Sequence, residues 1–120
     1  MQQPKVSVLI SFYNLAPYVD QTMESVLAQK TDFPVEILCA DDGSEDGTVE
    51  LLHGWEKRYP DRVRVFVMDR IPGKKYEGNE RIQRMNAIRG RLFYEAKGRY
   101  VCYLDGDDFY TDDRKLQKQG

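Results

Sequence analysis

The chain has 120 residues, 41% hydrophobic and 32% charged, with a formal net charge of −2. That length suits a single domain over residues 1–120, and the charge argues against a nucleic-acid binder driven by phosphate contacts. No apolar run approaches the roughly 20 residues of a membrane span, and Met1-Gln-Gln-Pro-Lys5 carries no signal-peptide pattern.

Val6-Ser-Val-Leu-Ile10 is a β-rich apolar run and predicts a first strand. Pro17 sits where a first helical turn would start, and Val19, Met23, Val26 and Leu27 follow at helical spacing. Val35 to Ala40 predicts a second strand, and Asp41 to Thr48 a polar loop containing glycine. Val49, Leu52, Trp55, Glu56 and Tyr59 mark a second helix, stopped at Pro60. Val63 to Met68 predicts a third strand. Asp69 to Asn79 carries Pro72, Gly73, Gly78 and two lysines, and reads as a loop. Ile82, Met85, Ile88, Leu92 and Ala96 give a long amphipathic helix with Gly98 as its stop. Tyr100 to Leu104 predicts a fourth strand, and Thr111 to Gly120 the opening of another helix.

Strands alternating with helices imply a parallel sheet covered on both faces. Right-handed crossovers point all the strands the same way. Ligands in such sheets bind outside the carboxyl ends of the strands, near the switch in strand order. The polar residues at those ends are Ser11 and Asn14, Asp41 and Asp42, and Asp105 to Asp108.

The run Asp105-Gly106-Asp107-Asp108 places three carboxylates in four positions after a buried-strand pattern. Such packing raises the pKa of at least one carboxyl, and a hard cation such as Mg2+ or Mn2+ offsets the repulsion. The plainer alternative is an acidic turn, since Asp and Gly are ordinary turn formers. Cys39 and Cys102 each lie in an apolar run and are expected as buried free thiols. His53 is the single histidine, expected on a solvated helix face, and no Cys/His cluster suggests zinc.

Four segments together resemble the N-terminal half of a GT-A fold glycosyltransferase of family 2. They are Val6-Ser-Val-Leu-Ile-Ser-Phe-Tyr-Asn14, Ala40-Asp-Asp-Gly-Ser-Glu-Asp-Gly-Thr48, Ala96-Lys-Gly-Arg-Tyr100 and Leu104-Asp-Gly-Asp-Asp108. The resemblance implies a Rossmann-like three-layer α/β/α fold with a mainly parallel sheet, the fourth strand beside the first. It implies inverting, metal-dependent transfer from a nucleoside-diphosphate sugar, most often a UDP sugar, to an acceptor hydroxyl on a glycan or lipid-linked sugar. Ser11 then lies where the first strand meets the nucleoside. Asp42 accepts a hydrogen bond from the base, while Asp41 supports the loop. Asp105 faces the ribose or a metal-bound water, and Asp107 ligates Mn2+ or Mg2+. Arg84 is assigned to the nucleotide sugar, although Arg89 is followed by Gly90 where many relatives have Asn.

Lys74, Lys75, Arg81 and Arg84 cover the diphosphate or form a solvated face. Tyr13 and Tyr18 flank the base or pack, and Trp55 packs. The family's catalytic base has no counterpart here, so the expected chain is the donor-binding half of a longer enzyme. That enzyme is expected in the cytoplasm, peripheral at the inner membrane face. The alternative is a nucleotide-sugar-binding module without transfer. A receiver-like phosphoacceptor domain would need an acid pair after strand one, where Ser11 stands. An uncharged, β-prone fourth strand at a sheet edge predicts a homodimer.

Overall fold

The computed structural model describes residues 4–29, 31–71 and 73–106. The strands are β1 (Val6–Phe12), β2 (Val35–Asp41), β3 (Val63–Val67) and β4 (Tyr100–Asp105), and the helices are α1 (Ala16–Leu27), α2 (Thr48–Arg58) and α3 (Asn79–Glu95). All the strands pair in parallel, in the order β3-β2-β1-β4. The predicted alternation and the β1–β4 neighbourhood are both present. The helix read into 111–120 lies outside the described residues.

Successive side chains on a strand face opposite ways. Val8, Ile10 and Phe12 of β1 and Ile37 and Cys39 of β2 join Val19, Met23, Val26, Leu52 and Trp55 in one buried cluster, beneath α1 and α2. Leu9, Leu38 and Ala40 join Ile88 and Leu92 in the other, beneath α3. The sheet is therefore the middle of three layers. The Trp55 indole donates to the Asp20 carboxylate at 2.9 Å, which ties α2 to α1. Neither Cys39 nor Cys102 forms a disulfide. Cys39 is fully buried, which pushes its thiol pKa up, and Cys102 is half-buried.

Two expectations for α3 need correction. Ile82 and Met85 are 56% and 42% exposed, so only Ile88 and Leu92 of the apolar series enter the core. Met85 instead lines a cavity at the end of the sheet. Gly98 is not the helix stop, because α3 ends at Glu95 with Ala96 already extended. Gly98 serves close approach: a β-carbon there would come 2.5 Å from the Ser7 amide nitrogen. Its N–H donates to Ser7 Oγ at 2.8 Å. Ser7 Oγ donates to the buried Glu36 at 2.5 Å, and the same Glu36 oxygen accepts the Lys97 N–H at 2.6 Å. This network, unread in the sequence, satisfies a buried carboxylate and fastens the α3–β4 turn to the sheet.

The chain steps outward from β1 to β2 to β3, then α3 returns it to β4 on the other side of β1. The strand order therefore reverses between β1 and β4. A cleft opens at the carboxyl ends of the strands beside such a reversal.

Candidate functional site

The register sets Ser11 beside Asp105 and Phe12 beside Asp41. Ser11 Oγ donates to Asp105 Oδ1 at 3.3 Å. The Gly106 amide donates to the Ser11 carbonyl at 2.7 Å, and the Gly106 carbonyl accepts from Thr22 Oγ1 at 2.7 Å. A β-carbon on Gly106 would come 2.4 Å from Phe12 Cδ1. The glycine between the two acids thus lets the Asp105 turn seat on β1 and α1.

The loop after β2 is bound to the loop after β1. Asp41 is buried and accepts from Ser44 N at 2.7 Å and Ser44 Oγ at 2.5 Å. Burial raises its pKa, and the Ser44 hydrogen bonds oppose that rise. Asp41 supports the loop, as expected. Ser44 Oγ accepts the Asn14 N–H at 2.8 Å, and Asn14 Oδ1 accepts the Glu45 N–H at 2.9 Å. Asn14 holds φ at 50°, a left-handed conformation that asparagine tolerates better than most residues. Asp46 accepts from Ala16 N and Thr48 N, both at 3.1 Å, and from Thr48 Oγ1 at 2.5 Å. The Thr48 hydroxyl is the main reason its pKa is lowered.

Asp42 is next in line, and its side chain is 16% exposed. Its Oδ2 accepts from Arg70 Nη2 at 2.8 Å, and its backbone carbonyl accepts from Arg70 Nε at 2.9 Å. Its Oδ1 accepts from Arg84 Nε at 2.8 Å and also from Arg84 Nη2. An ionised carboxylate has about four lone-pair positions. The described contacts occupy three of them, which leaves one on Oδ2, beside Arg70. Charge-assisted bonds from two guanidiniums also fix the orientation of the group.

Aromatic rings back these arginines. The Arg70 guanidinium lies 4.1 Å from the Tyr13 ring centroid and 4.8 Å from that of Tyr76, and Arg84 lies 4.5 Å from Tyr76. Arg89 lies 5.3 Å from the Tyr103 ring.

These elements surround a cavity of about 520 Å³. Its described lining includes the expected Ser11, Asp42, Arg84 and Asp105, together with Tyr13, Arg70, Tyr76, Arg81, Arg89 and Tyr103. Lys74, Lys75 and Tyr18 are not in that lining. Lys74 is exposed and pairs with Glu80 at 2.6 Å, the bond that chiefly raises its pKa. Asp107 and Asp108 lie outside the described residues. Among the described residues no group of three or more His, Cys, Asp or Glu is placed to hold a metal. Asp105 is a hard oxygen donor at the cavity wall. Mg2+ commonly uses one or two carboxylates together with substrate phosphates and water, so this donor type fits.

Arg70 and Tyr76 are cavity-lining residues absent from the sequence reading, which in the Asp69 to Asn79 loop singles out only Lys74 and Lys75. The strand-end rule applied to β3 points to Arg70, three residues beyond Val67.

A family model described as "Glycosyl transferase family 2" matches residues 7–119. A Bacillus subtilis glycosyltransferase named for teichuronic acid biosynthesis, TuaG, is 35% identical over 117 residues, covering 98% of this chain and 41% of its own length. The S. aureus TarS 1-349 structure in complex with UDP is similar at 24% identity with a TM-score of 0.72, over 96% of this chain and 30% of that one. The mannosyltransferase PcManGT from Pyrobaculum calidifontis, in complex with GDP-Man and Mn2+, is similar at 22% identity with a TM-score of 0.71, over 94% of this chain and 30% of that one. The chain spans less than half the length of TuaG and of both structures.

Proposed function

The chain belongs to glycosyl transferase family 2, and we propose that its cavity binds the nucleotide of a nucleoside-diphosphate sugar, with UDP as the leading candidate. The observation that carries this reading is Asp42. Its carboxylate is fixed at the cavity wall by Arg70 and Arg84 and keeps one acceptor position on Oδ2. Such a position asks for an N–H donor, and the adjacent Arg70 asks for an acceptor next to it. The imide edge of uracil offers that pair. Guanine offers it too, through its N1–H and O6. Cytosine and adenine present an acceptor where the N–H is needed and would leave Asp42 facing a lone pair.

Ser11 and Asp105 lie at the neighbouring strand ends, where the ribose would follow the base. Asp107, beyond the described residues, would hold Mn2+ or Mg2+, with Asp105 facing the ribose or a metal-bound water. The ion when bound supplies Lewis-acid stabilisation of a diphosphate leaving group. Arg81 and Arg89 at the cavity wall offer guanidinium donors to phosphate oxygens. In the whole enzyme an acceptor hydroxyl attacks the anomeric carbon on the face opposite the nucleotide, with inversion. A carboxylate base removes its proton, and this chain binds and orients the donor.

Calorimetry with UDP, GDP, CDP and ADP, with and without Mn2+, tests the reading. UDP, or UDP and GDP, should bind well ahead of CDP and ADP. Equal affinity for CDP, or no binding of any of the four, would overturn it.

A further inference from the structure

Tyr76 stands apart from the loop that carries it. Among residues 73 to 80 every other position is exposed, and Tyr76 alone is half-buried. Gly73 and Gly78 on either side hold φ at 77° and 57°, values open to glycine at little cost. The Tyr76 hydroxyl accepts the Ile71 N–H at 3.1 Å, which closes the loop on itself. The ring points into the cavity wall. There it lies under both guanidiniums that hold Asp42, at 4.8 Å for Arg70 and 4.5 Å for Arg84.

Two cations converging on one carboxylate repel each other, and one negative charge does not balance both. The negative face of the Tyr76 ring is a further attraction for each cation, shared for Arg70 with the Tyr13 ring at 4.1 Å, and it needs no further carboxylate. A carboxylate in that place would compete for the same arginines and leave Asp42 mobile. An aliphatic side chain would fill the space without holding the charges.

From this arrangement we infer that Tyr76 is the positioning residue for base recognition: its ring keeps Arg70 and Arg84 on Asp42, so the Oδ2 acceptor stays aimed at the base. The inference rests on the nucleotide-binding reading above. It adds that discrimination among bases depends on a ring that itself makes no hydrogen bond to the base.

The test compares Tyr76→Phe with Tyr76→Leu. Phe keeps the ring and loses the Ile71 bond, whereas Leu keeps apolar bulk and loses the ring. The first readout is the ratio of UDP to CDP affinity. Tyr76→Phe should preserve it, and Tyr76→Leu should reduce it on the order of tenfold, the scale of losing the contacts to Arg70 and Arg84, with the exposed Lys74 at 5.0 Å a third cation on the ring that does not touch Asp42. The second readout needs no ligand. The Nε–H protons of Arg70 and Arg84, held by Asp42, should exchange slowly with solvent in the parent and in Tyr76→Phe, and quickly in Tyr76→Leu.

An unchanged ratio together with slow exchange in Tyr76→Leu overturns the inference. Equal losses in both variants also overturn it, because they assign the effect to the hydroxyl and the loop. Should the parent bind no nucleotide, the functional reading fails, and the exchange measurement still decides whether the ring holds the arginines.

Discussion

A β-carbon on Gly43 would lie 2.6 Å from the β-carbon of Arg70. The backbone of the loop after β2 therefore passes close against the start of the loop after β3, and only a residue without a side chain allows it. Gly43 also holds φ at 78°, where other L-residues are strained. Gly43→Ala should lower stability by about 1–2 kcal/mol from the backbone conformation alone, with overpacking against Arg70 adding to it. The displaced Arg70 should release Asp42 Oδ2. Chemical denaturation reads the first effect and UDP titration the second. A variant with parental stability and affinity would show that the close approach is unimportant.

On the proposed nucleotide-binding reading, Asp42 contributes both affinity and base choice. Asp42→Ala should weaken UDP by about 1–3 kcal/mol, the range for hydrogen bonds to charged groups and for unsatisfied partners. It should weaken CDP much less, so the affinity ratio falls toward one. The variant also leaves Arg70 and Arg84, each 16% exposed, without their carboxylate, so unfolding must be followed in parallel. Equal losses for UDP and CDP would reassign Asp42 to a structural role.

The fold was legible because periodicity and strand-end chemistry agreed. Val8, Ile10, Ile37 and Cys39 face α1 and α2, Leu9 and Leu38 face α3, and all sit in runs apolar enough for a sheet buried on both faces. Ser11, Asp42 and Asp105 were legible as cavity-lining residues because parallel strands deliver their carboxyl ends to one edge, whereas Arg84, on α3, was legible only through the family resemblance. The pairing of Arg70 and Arg84 with Asp42 was not legible, since those contacts span 28 and 42 residues of sequence. Nor were Arg70 and Tyr76, which lie in an irregular segment with no period to read. Ile82 and Met85 misled for the opposite reason: their spacing fits a buried face, but Met85 lines the cavity wall.

Asp46 makes a prediction about acid. It precedes the α2 N-cap Gly47 and accepts from the backbone at the starts of both α1 and α2. Asp46→Ala should destabilise the protein by about 0.5–2 kcal/mol, as loss of a helix cap does. The folded pKa is lowered from 3.8. Its stabilisation is therefore fully present above that value and is lost as pH falls through the folded pKa. Asp41 has the opposite sign: its folded pKa is raised, so its contribution favours folding at lower pH and declines as pH rises above 3.8. The parent should lose stability below pH 3.8 more steeply than Asp46→Asn. Parallel curves for the two proteins would remove Asp46 as the cause.

Asp107 is the metal ligand that the motif predicts. Asp107→Asn should remove most of the Mn2+-dependent part of UDP binding, leaving the metal-free affinity and the unfolding midpoint near parental values. Asp105→Asn differs, because Asp105 also accepts from Ser11. It should lower metal-free UDP binding too, if ribose contacts pass through that pair. Calorimetry in Mn2+ and in chelator separates the two. Equal Mn2+ dependence in Asp107→Asn and the parent would sink the assignment.

The two edges of the described sheet are unlike, and this predicts self-association. At β3 the Val65 N–H donates to Glu56 Oε2 at 2.8 Å, and Arg64 pairs with Glu95 at 2.8 Å. That edge has a charged side chain and a carboxylate on a backbone donor, both of which discourage strand addition. At β4, Tyr100 and Val101 are 50% and 41% exposed, and no charged residue occurs from Tyr100 to Leu104. An apolar, β-prone edge of this kind pairs readily with a second copy, and a closed symmetric dimer is the simplest product. The 120-residue chain should therefore sediment with a concentration-dependent mass rising toward that of a dimer. Val101→Lys should hold it monomeric at the same concentrations, since a lysine on the edge opposes pairing, and should leave UDP affinity unchanged because Val101 does not line the cavity. A parent that stays monomeric at high concentration, or a Val101→Lys variant that associates equally well, would exclude β4 as the contact.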